Sequence, residues 1–108
     1  LPYGEQRLLG MAIALAARPK VLLLDEPCAG SIPTETEIMV QLIDKIRRSG
    51  VSIVLVEHHM RVVMGISDRI IVLSYGEKLA EGTPSEIQSN PSVVAAYLGR
   101  RTGGEAHA

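Results

Sequence analysis

The chain has 108 residues, a hydrophobic fraction of 46% and a formal net charge of −1, with no Phe, no Trp and three Tyr. This composition is that of one small globular domain with an aliphatic core, and it excludes an intrinsically disordered chain. The near-neutral charge and the scarcity of aromatic side chains argue against nucleic acid as a partner. Apolar runs are far shorter than the ~20 residues of a membrane-spanning helix. The single Cys28 allows no internal disulfide and fits a reducing compartment.

The first elements predicted are a helix and a buried strand. Residues 6–17 are rich in Ala, and Arg18-Pro19 ends the helix. Residues 21–24, Val-Leu-Leu-Leu, are apolar on both faces of a strand, and two acids follow them. This is typical of a buried parallel strand with polar residues at its C-terminal end. The apolar face of the helix is expected at Leu8, Leu9, Ala12, Ile13 and Ala16.

A second helix and a second buried strand follow. Pro33 lies in the predicted first turn of this helix, and Gly50 caps its end. The strand is predicted over 51–56 and ends at the polar residues Glu57-His58-His59. The apolar face of the second helix is expected at Ile38, Leu42, Ile43 and Ile46.

The remaining predicted elements are shorter. Thr83 and Glu86 have the spacing of a capping box, which predicts a helix start. Residues 100–108 carry no pattern and are expected to be a flexible tail. The other elements predicted are a short helix through 62–64, a strand at 70–73, a turn at 75–77, a returning strand at 78–80 and a last helix from Asn90-Pro91 to Gly99.

Alternating strands and helices predict an α/β fold with a mainly parallel sheet and flanking helices. Functional sites on such sheets lie at the C-terminal ends of the strands, where this chain has Asp25, Glu26 and His58. A carboxylate at the tip of a buried strand can hold Mg²⁺, and a second carboxylate can take a proton from an attacking water. Two solvated acids at a strand end are the alternative interpretation.

Three segments, in order and at suitable distances, resemble the motifs of an ATP-binding cassette ATPase. LPYGEQR at 1–7 resembles the signature motif, VLLLDEP at 21–27 the Walker B strand, and VEHHM at 56–60 the switch-histidine strand. Within this superfamily, LPYGEQR, MGISDRIIVLSYG and NPSVVAAYLG resemble the ATPase subunits of branched-chain amino-acid importers. The resemblance covers 1–99 and implies a partial P-loop NTPase (RecA-like) fold. It places the P-loop strand of the family between the strands at 51–56 and 70–73.

The resemblance also implies roles for the residues that match. Asp25 supports Mg²⁺, Glu26 polarises the attacking water, and His58 contacts the γ-phosphate and joins the states of two subunits. The signature helix aims its N-terminus at ATP held by the opposite subunit, which suits the N–H groups and dipole of a helix start. The implied ATP-binding residues of this helix are Pro2, Tyr3, Gly4, Glu5 and Gln6.

The chain departs from the family pattern at several of these positions. The usual signature is Leu-Ser-Gly-Gly-Gln, so that Pro2 replaces Ser, Tyr3 replaces the first Gly and Glu5 replaces Gln. Residues 29–32, Ala-Gly-Ser-Ile, match the D-loop of the family. Ile32 ends this D-loop segment where Asp or Asn is usual, which puts the polar contact of the loop across the dimer in doubt. His59 stands where Asp is more common and is expected to be a solvated neighbour. A metal site of two adjacent histidines is disfavoured, because adjacent strand residues point to opposite faces.

No Gly-x-x-x-x-Gly-Lys-Ser/Thr motif occurs in the 108 residues, and in the family this P-loop precedes the signature. The expected identity is therefore the C-terminal portion, over 1–99, of an importer subunit that hydrolyses ATP with Mg²⁺ when complete. Its expected partners are a second ATPase subunit and transmembrane permease subunits at the cytoplasmic face of the inner membrane. Two alternatives stay open: a truncated, non-catalytic remnant that packs on a partner, and a cassette ATPase outside transport, in translation or DNA maintenance.

Overall fold

A computed structural model describes residues 3–98 of the chain, with side chains over 4–97. The described residues form two compact units that meet in sequence between Val62 and Val63. The elements are α1 (Tyr3–Ala16), β1 (Val21–Asp25), α2 (Pro33–Arg48), β2 (Ser52–Val56), α3 (Met60–Ile66), β3 (Ile70–Ser74), β4 (Glu77–Gly82), α4 (Pro84–Ser89) and α5 (Pro91–Val93), which continues as a π-helical segment (Val94–Leu98).

The first unit contains a parallel pair of strands. β1 and β2 pair in parallel from Val21 opposite Ser52 to Asp25 opposite Val56. The pairing continues one step beyond β1, because the backbone N–H of Glu26 donates to the carbonyl of Val56 at 2.7 Å. The C-terminal ends of both strands therefore lie side by side, as the alternation of strands and helices predicted. The buried residues of this unit are Met11, Leu22, Leu24, Pro27, Cys28, Met39, Ile43, Ile46 and Val62.

The expected burial of both faces of the two strands is wrong. On β1, Leu22 and Leu24 are buried, whereas Val21 is 54% exposed and Leu23 is 73% exposed. Leu23 is opposite Val54 of β2, which is also exposed. Since paired residues of parallel strands share a face, one whole face of this two-stranded sheet is apolar and uncovered by the described residues.

The expected apolar faces of the two long helices also need correction. In α1 the buried residue is Met11, while Leu9 and Ile13 of the predicted face are half exposed or more. In α2, Ile43 and Ile46 of the predicted face are buried as expected, together with Met39, whereas Ile38 is exposed. Periodicity therefore identified most of the buried side of α2 but not that of α1.

The second unit is a β-hairpin followed by short helices. β3 and β4 pair antiparallel with an irregularity between Val72 and Leu73. Tyr75 and Gly76 connect them with φ of 50° and 79°, the left-handed conformation that a two-residue type I′ hairpin requires at both positions. The Tyr97 hydroxyl donates to the carbonyl of Leu73 at 2.6 Å. The buried residues of this unit are Val63, Ile70, Ala80, Gly82, Ile87 and Val93.

The α/β prediction is confirmed, with a small parallel sheet. Within residues 3–98, β2 and β3 belong to different sheets, one parallel and one antiparallel. No helix within this range is both long and apolar enough to cross a membrane. The predicted tail at 100–108 and the helix stop at Gly99 lie outside the described residues.

Candidate functional site

The candidate site lies where β1 and β2 end. β1 ends at Asp25, and Glu26 follows in the left-handed region with a φ of 48°. This conformation is uncommon for a residue with a Cβ, costs on the order of 1 kcal/mol or more, and persists where neighbouring contacts hold it. One such contact is the hydrogen bond from the Glu26 N–H to the carbonyl of Val56. The hydrogen bond to β2 thus helps to hold the backbone turn at Glu26.

His58 is the histidine that meets this carboxylate. Its Nε2 lies 3.2 Å from Oε1 of Glu26, although the two residues are 32 positions apart in the chain. The His58 side chain is 78% exposed and that of Glu26 is 44% exposed, so both can reach a molecule in solvent. A contact this exposed adds little to stability. The contact brings a carboxylate and an imidazole to one point.

His59 makes no hydrogen bond to Glu26 and is exposed. Alternation of side chains along a strand does not explain this difference, because β2 ends at Val56 and both histidines lie in the irregular segment before α3. His58 is positioned instead by the path of this segment, where its backbone N–H donates to Oε1 of Glu57 at 3.1 Å.

Asp25 is exposed at the end of β1, and within the described residues its carboxylate has no hydrogen bond. A free carboxylate oxygen suits Mg²⁺, which usually takes one or two protein carboxylates and keeps several waters. No group of three or more His, Cys, Asp or Glu among residues 3–98 could form a metal cage. Asp25 therefore fits as one ligand of an ion that is otherwise held by water and substrate oxygens.

Two charged residues that the sequence analysis did not assign contact the segment after Glu26. Nη1 of Arg7 donates to the carbonyl of Pro27 at 2.7 Å and lies 3.4 Å from Oγ of Ser31. Oε2 of Glu57 accepts the backbone N–H of Cys28 at 3.2 Å. Both lie within the segments that carry the family resemblance, at 1–7 and 56–60, but the sequence alone assigned neither of them a role. Burial and then the Glu57 carboxylate raise the pKa of the Cys28 thiol, which supports packing rather than reactivity.

The signature segment forms the start of α1, although Pro2 lies outside the described residues and only the backbone of Tyr3 is described. Glu5 and Gln6 are exposed. A Cβ added at Gly4 would meet only a carboxylate oxygen of Glu35, at an ordinary 3.9 Å. Nothing described in this chain therefore requires glycine at that position.

The D-loop segment leads into α2 through Ile32, which takes the N-cap position without a side-chain hydrogen bond. Oε1 of Glu35 accepts the backbone N–H of Ile32 at 3.2 Å, which is one half of a capping box. The other half needs an oxygen on the cap residue, which Ile lacks. The departure from the family's Asp or Asn thus leaves the helix start with an incomplete cap.

Comparisons with known proteins find similarity to ATP-binding proteins of transport systems. The family model described as "Branched-chain amino acid ATP-binding cassette transporter" matches residues 77–102. The chain is 49% identical over 100 residues to the high-affinity branched-chain amino acid transport ATP-binding protein BraF of Pseudomonas aeruginosa, covering 92% of this chain and 39% of BraF. It is 50% identical, with the same coverage, to LivG of Salmonella typhimurium, which has the same description. The lipopolysaccharide export ATP-binding protein LptB of Escherichia coli is 38% identical over 99 residues, covering 92% of this chain and 41% of LptB.

Solved structures give the same fold. The ADP conformation of MJ1267, an ATP-binding cassette of an ABC transporter, matches with a TM-score of 0.79 and 28% identity, covering 92% of this chain and 41% of that one. The protein cbiO1 of Clostridium perfringens, described as part of an ABC transporter complex, matches with a TM-score of 0.76 and 27% identity, covering 100% of this chain and 44% of that one. The chain thus spans about two fifths of the length of the relatives it matches.

Proposed function

We propose that this chain, which has the sequence and fold of the C-terminal part of ATP-binding cassette ATPases, contributes the hydrolytic half of an ATP site that powers solute import. The observation that carries this proposal is the 3.2 Å approach of His58 to Glu26, beside Asp25 at the C-terminal edge of a parallel strand pair. Ligands of open α/β sheets bind at this edge. The P-loop, which is absent from the 108 residues, would be supplied outside them.

Each of the three residues has a distinct task in this proposal. Glu26 takes a proton from the attacking water, which requires a carboxylate within hydrogen-bond reach of that water. His58 contacts the γ-phosphate in this proposal, and its Nε2 lies against the Glu26 carboxylate, which places the two groups at one point. Asp25 would hold Mg²⁺, directly or through water. Mg²⁺ neutralises charge that develops on the phosphate oxygens.

The signature end of α1 serves a second ATP site in this proposal. Unpaired N–H groups and the helix dipole make a helix N-terminus favourable for a phosphate. Since the described chain leaves room for a Cβ at Gly4, the requirement for glycine would come from a group outside it, as expected for ATP held by an opposite subunit. The functional unit is then a dimer of ATPase subunits, each of which completes the site of the other.

The proposed solute is a branched-chain amino acid. The relatives BraF and LivG carry this description at 49% and 50% identity, whereas the lipopolysaccharide exporter LptB is 38% identical. The partners would be transmembrane permease subunits, which place the ATPase at the cytoplasmic face of the inner membrane as a peripheral protein.

The experiment is the Glu26→Gln substitution in a complete subunit that supplies the P-loop. The amide keeps the size of the side chain but cannot take a proton, so ATP binding should be retained while turnover falls by about 10²-fold or more. Glu77→Gln, at an exposed position on β4 of the second unit, is the matched control and should hydrolyse ATP normally. Near-normal hydrolysis by Glu26→Gln would show that Glu26 is not the base.

A further inference from the structure

Arg7 and Glu57 contact the two ends of a single peptide group. The carbonyl of Pro27 and the N–H of Cys28 belong to the same peptide bond. Nη1 of Arg7 donates to that carbonyl at 2.7 Å, and Oε2 of Glu57 accepts from that N–H at 3.2 Å. Both side chains are half-buried, and Pro27 and Cys28 are buried.

The charges match the dipole of this peptide group. A peptide carries a dipole of about 3.5 D with its negative end at the oxygen and its positive end at the N–H. The guanidinium lies at the oxygen and the carboxylate at the N–H. Hydrogen bonds with one charged partner are stronger than those between neutral groups, and partial burial reduces their screening by solvent. The orientation of this peptide plane is therefore held from both sides.

The held peptide lies one residue beyond Glu26, which has a φ of 48°. That left-handed conformation persists only where the surroundings hold it. The hydrogen bond to Val56 holds the N-terminal side of Glu26, and the Arg7–peptide–Glu57 arrangement holds its C-terminal side. Through Oε1, Glu57 also accepts the backbone N–H of His58, so one carboxylate contacts the segments that carry both site residues.

We propose that Arg7 and Glu57 are positioning residues that clamp the Pro27–Cys28 peptide and thereby set the Glu26 carboxylate against His58. The inference rests on the proposed function for its catalytic consequence, while the clamp itself is a structural property of the chain. Arg7 belongs to α1, which begins with the signature segment, and it also approaches Ser31 of the D-loop segment. The clamp thus connects the start of α1 to the segment that presents the proposed base.

The first test is a double-mutant cycle on ATP turnover in a complete subunit. Arg7→Met and Glu57→Ala should each lower kcat by about tenfold, since each removes a hydrogen bond to a charged group, and the KM for ATP should stay unchanged because the P-loop is not affected. The two act on one peptide, so the double variant should lose little more than the worse single variant. Losses that multiply to about a hundredfold would overturn the clamp.

Conservative variants distinguish the loss of a positioning hydrogen bond from a general loss of structure. Arg7→Lys and Glu57→Gln keep a donor and an acceptor, and should recover part of the lost kcat. Arg61→Met and Glu77→Gln, at exposed positions, are the matched controls for loss of charge. Equal losses in the conservative and the truncated variants would contradict the clamp.

The second test does not depend on ATPase activity. Amide hydrogen exchange at Cys28, followed in the 108-residue chain and in the complete subunit, should accelerate about tenfold or more in Arg7→Met and in Glu57→Ala. The ladder amides of β1 and β2 should keep their protection. Unchanged exchange at Cys28 would overturn the clamp even if turnover fell. A subunit that hydrolyses no ATP but shows this exchange pattern would refute the proposed function and leave the clamp supported.

Discussion

Replacing Ile32 with Asn should stabilise the chain by roughly 0.5–1 kcal/mol, because it completes the cap of α2. Ile32 already has the extended N-cap backbone, with φ of −78° and ψ of 163°. Thr83, the cap of α4, has nearly the same angles, −71° and 163°, and its Oγ1 accepts the N–H of Glu86 at 3.2 Å. The carboxylate half of the box is present at both helices, through Glu35 and Glu86. An oxygen on residue 32 would therefore find its donor without rearrangement of the backbone.

Two contributions set the magnitude of this change. A side-chain cap stabilises a helix by typically about 1 kcal/mol. Against this stands the apolar contact of the isoleucine, which is small because Ile32 is 58% exposed. Asn keeps the Cβ, so the loss is about 0.3 kcal/mol for the remaining buried area. The difference corresponds to an increase of about 3–5 °C in the melting temperature of a domain of this size.

The measurement is chemical denaturation of the chain, with Ile38→Asn as the matched control. Ile38 is similarly exposed, at 53%, but lies within α2, where Asn is a poorer helix former than Ile and has no cap to form. Ile38→Asn should therefore be neutral or destabilising. If Ile32→Asn is no more stable than Ile38→Asn, the missing cap is not what limits the start of α2.

Three further predictions concern the histidines, the nucleotide and the thiol. In the complete subunit, His58→Ala should abolish most steady-state ATPase activity and His59→Ala should be tolerated; the reverse ranking would refute the assignment of His58. The 108-residue chain should bind ATP no better than about millimolar, or roughly −4 kcal/mol, and a micromolar dissociation constant by titration calorimetry would contradict this. Since burial and Glu57 raise the pKa of Cys28, its stabilising contribution is present below the pKa of an unfolded thiol, about 8.5, and is lost as pH rises through the folded value. Cys28→Ala should therefore show a flatter loss of stability above about pH 8.5 in denaturation titrations, and an unchanged slope would argue against the shift.

The positions of the elements were predictable from the sequence because they depend on local signals. The capping box at Thr83 and Glu86 and the Pro at the start of α2 act within one helical turn. The family resemblance and the α/β class were predictable for a different reason, because motifs that bind phosphate and metal constrain several neighbouring residues at once. Both are confirmed by the comparisons and by the parallel pairing of β1 with β2.

The buried faces were not predictable, because burial depends on which other segments cover an element. Leu23 and Ile13 are as apolar as Leu22 and Met11, yet the first two are exposed and the last two are buried. Periodicity identifies an apolar stripe but not its cover. In this chain the described elements cover one face of the strand pair and one side of each long helix.

Some residues of the candidate site could be identified from local sequence patterns, and others only from the folded structure. Glu26 and His58 could be selected in advance because parallel strands bring their C-terminal ends to one edge. Arg7 and Glu57 could not, because their contacts join residues 20 and 29 positions apart and depend on the direction that the chain takes after Glu26.

The contacts of Arg7 and Glu57 with the Pro27–Cys28 peptide depend on the left-handed turn at Glu26. An extended residue at this position would continue β1 and carry the Pro27–Cys28 peptide away from β2. With a φ of 48°, the chain turns instead, and the Cys28 N–H meets a carboxylate from the end of β2. The same carboxylate accepts the His58 N–H, so a change that lets Glu26 relax would separate the Glu26 carboxylate from His58. Glu57→Ala should therefore lower ATP turnover in a complete subunit more than Val56→Ala, whose side chain is exposed, and equal turnover of the two variants would refute this reasoning.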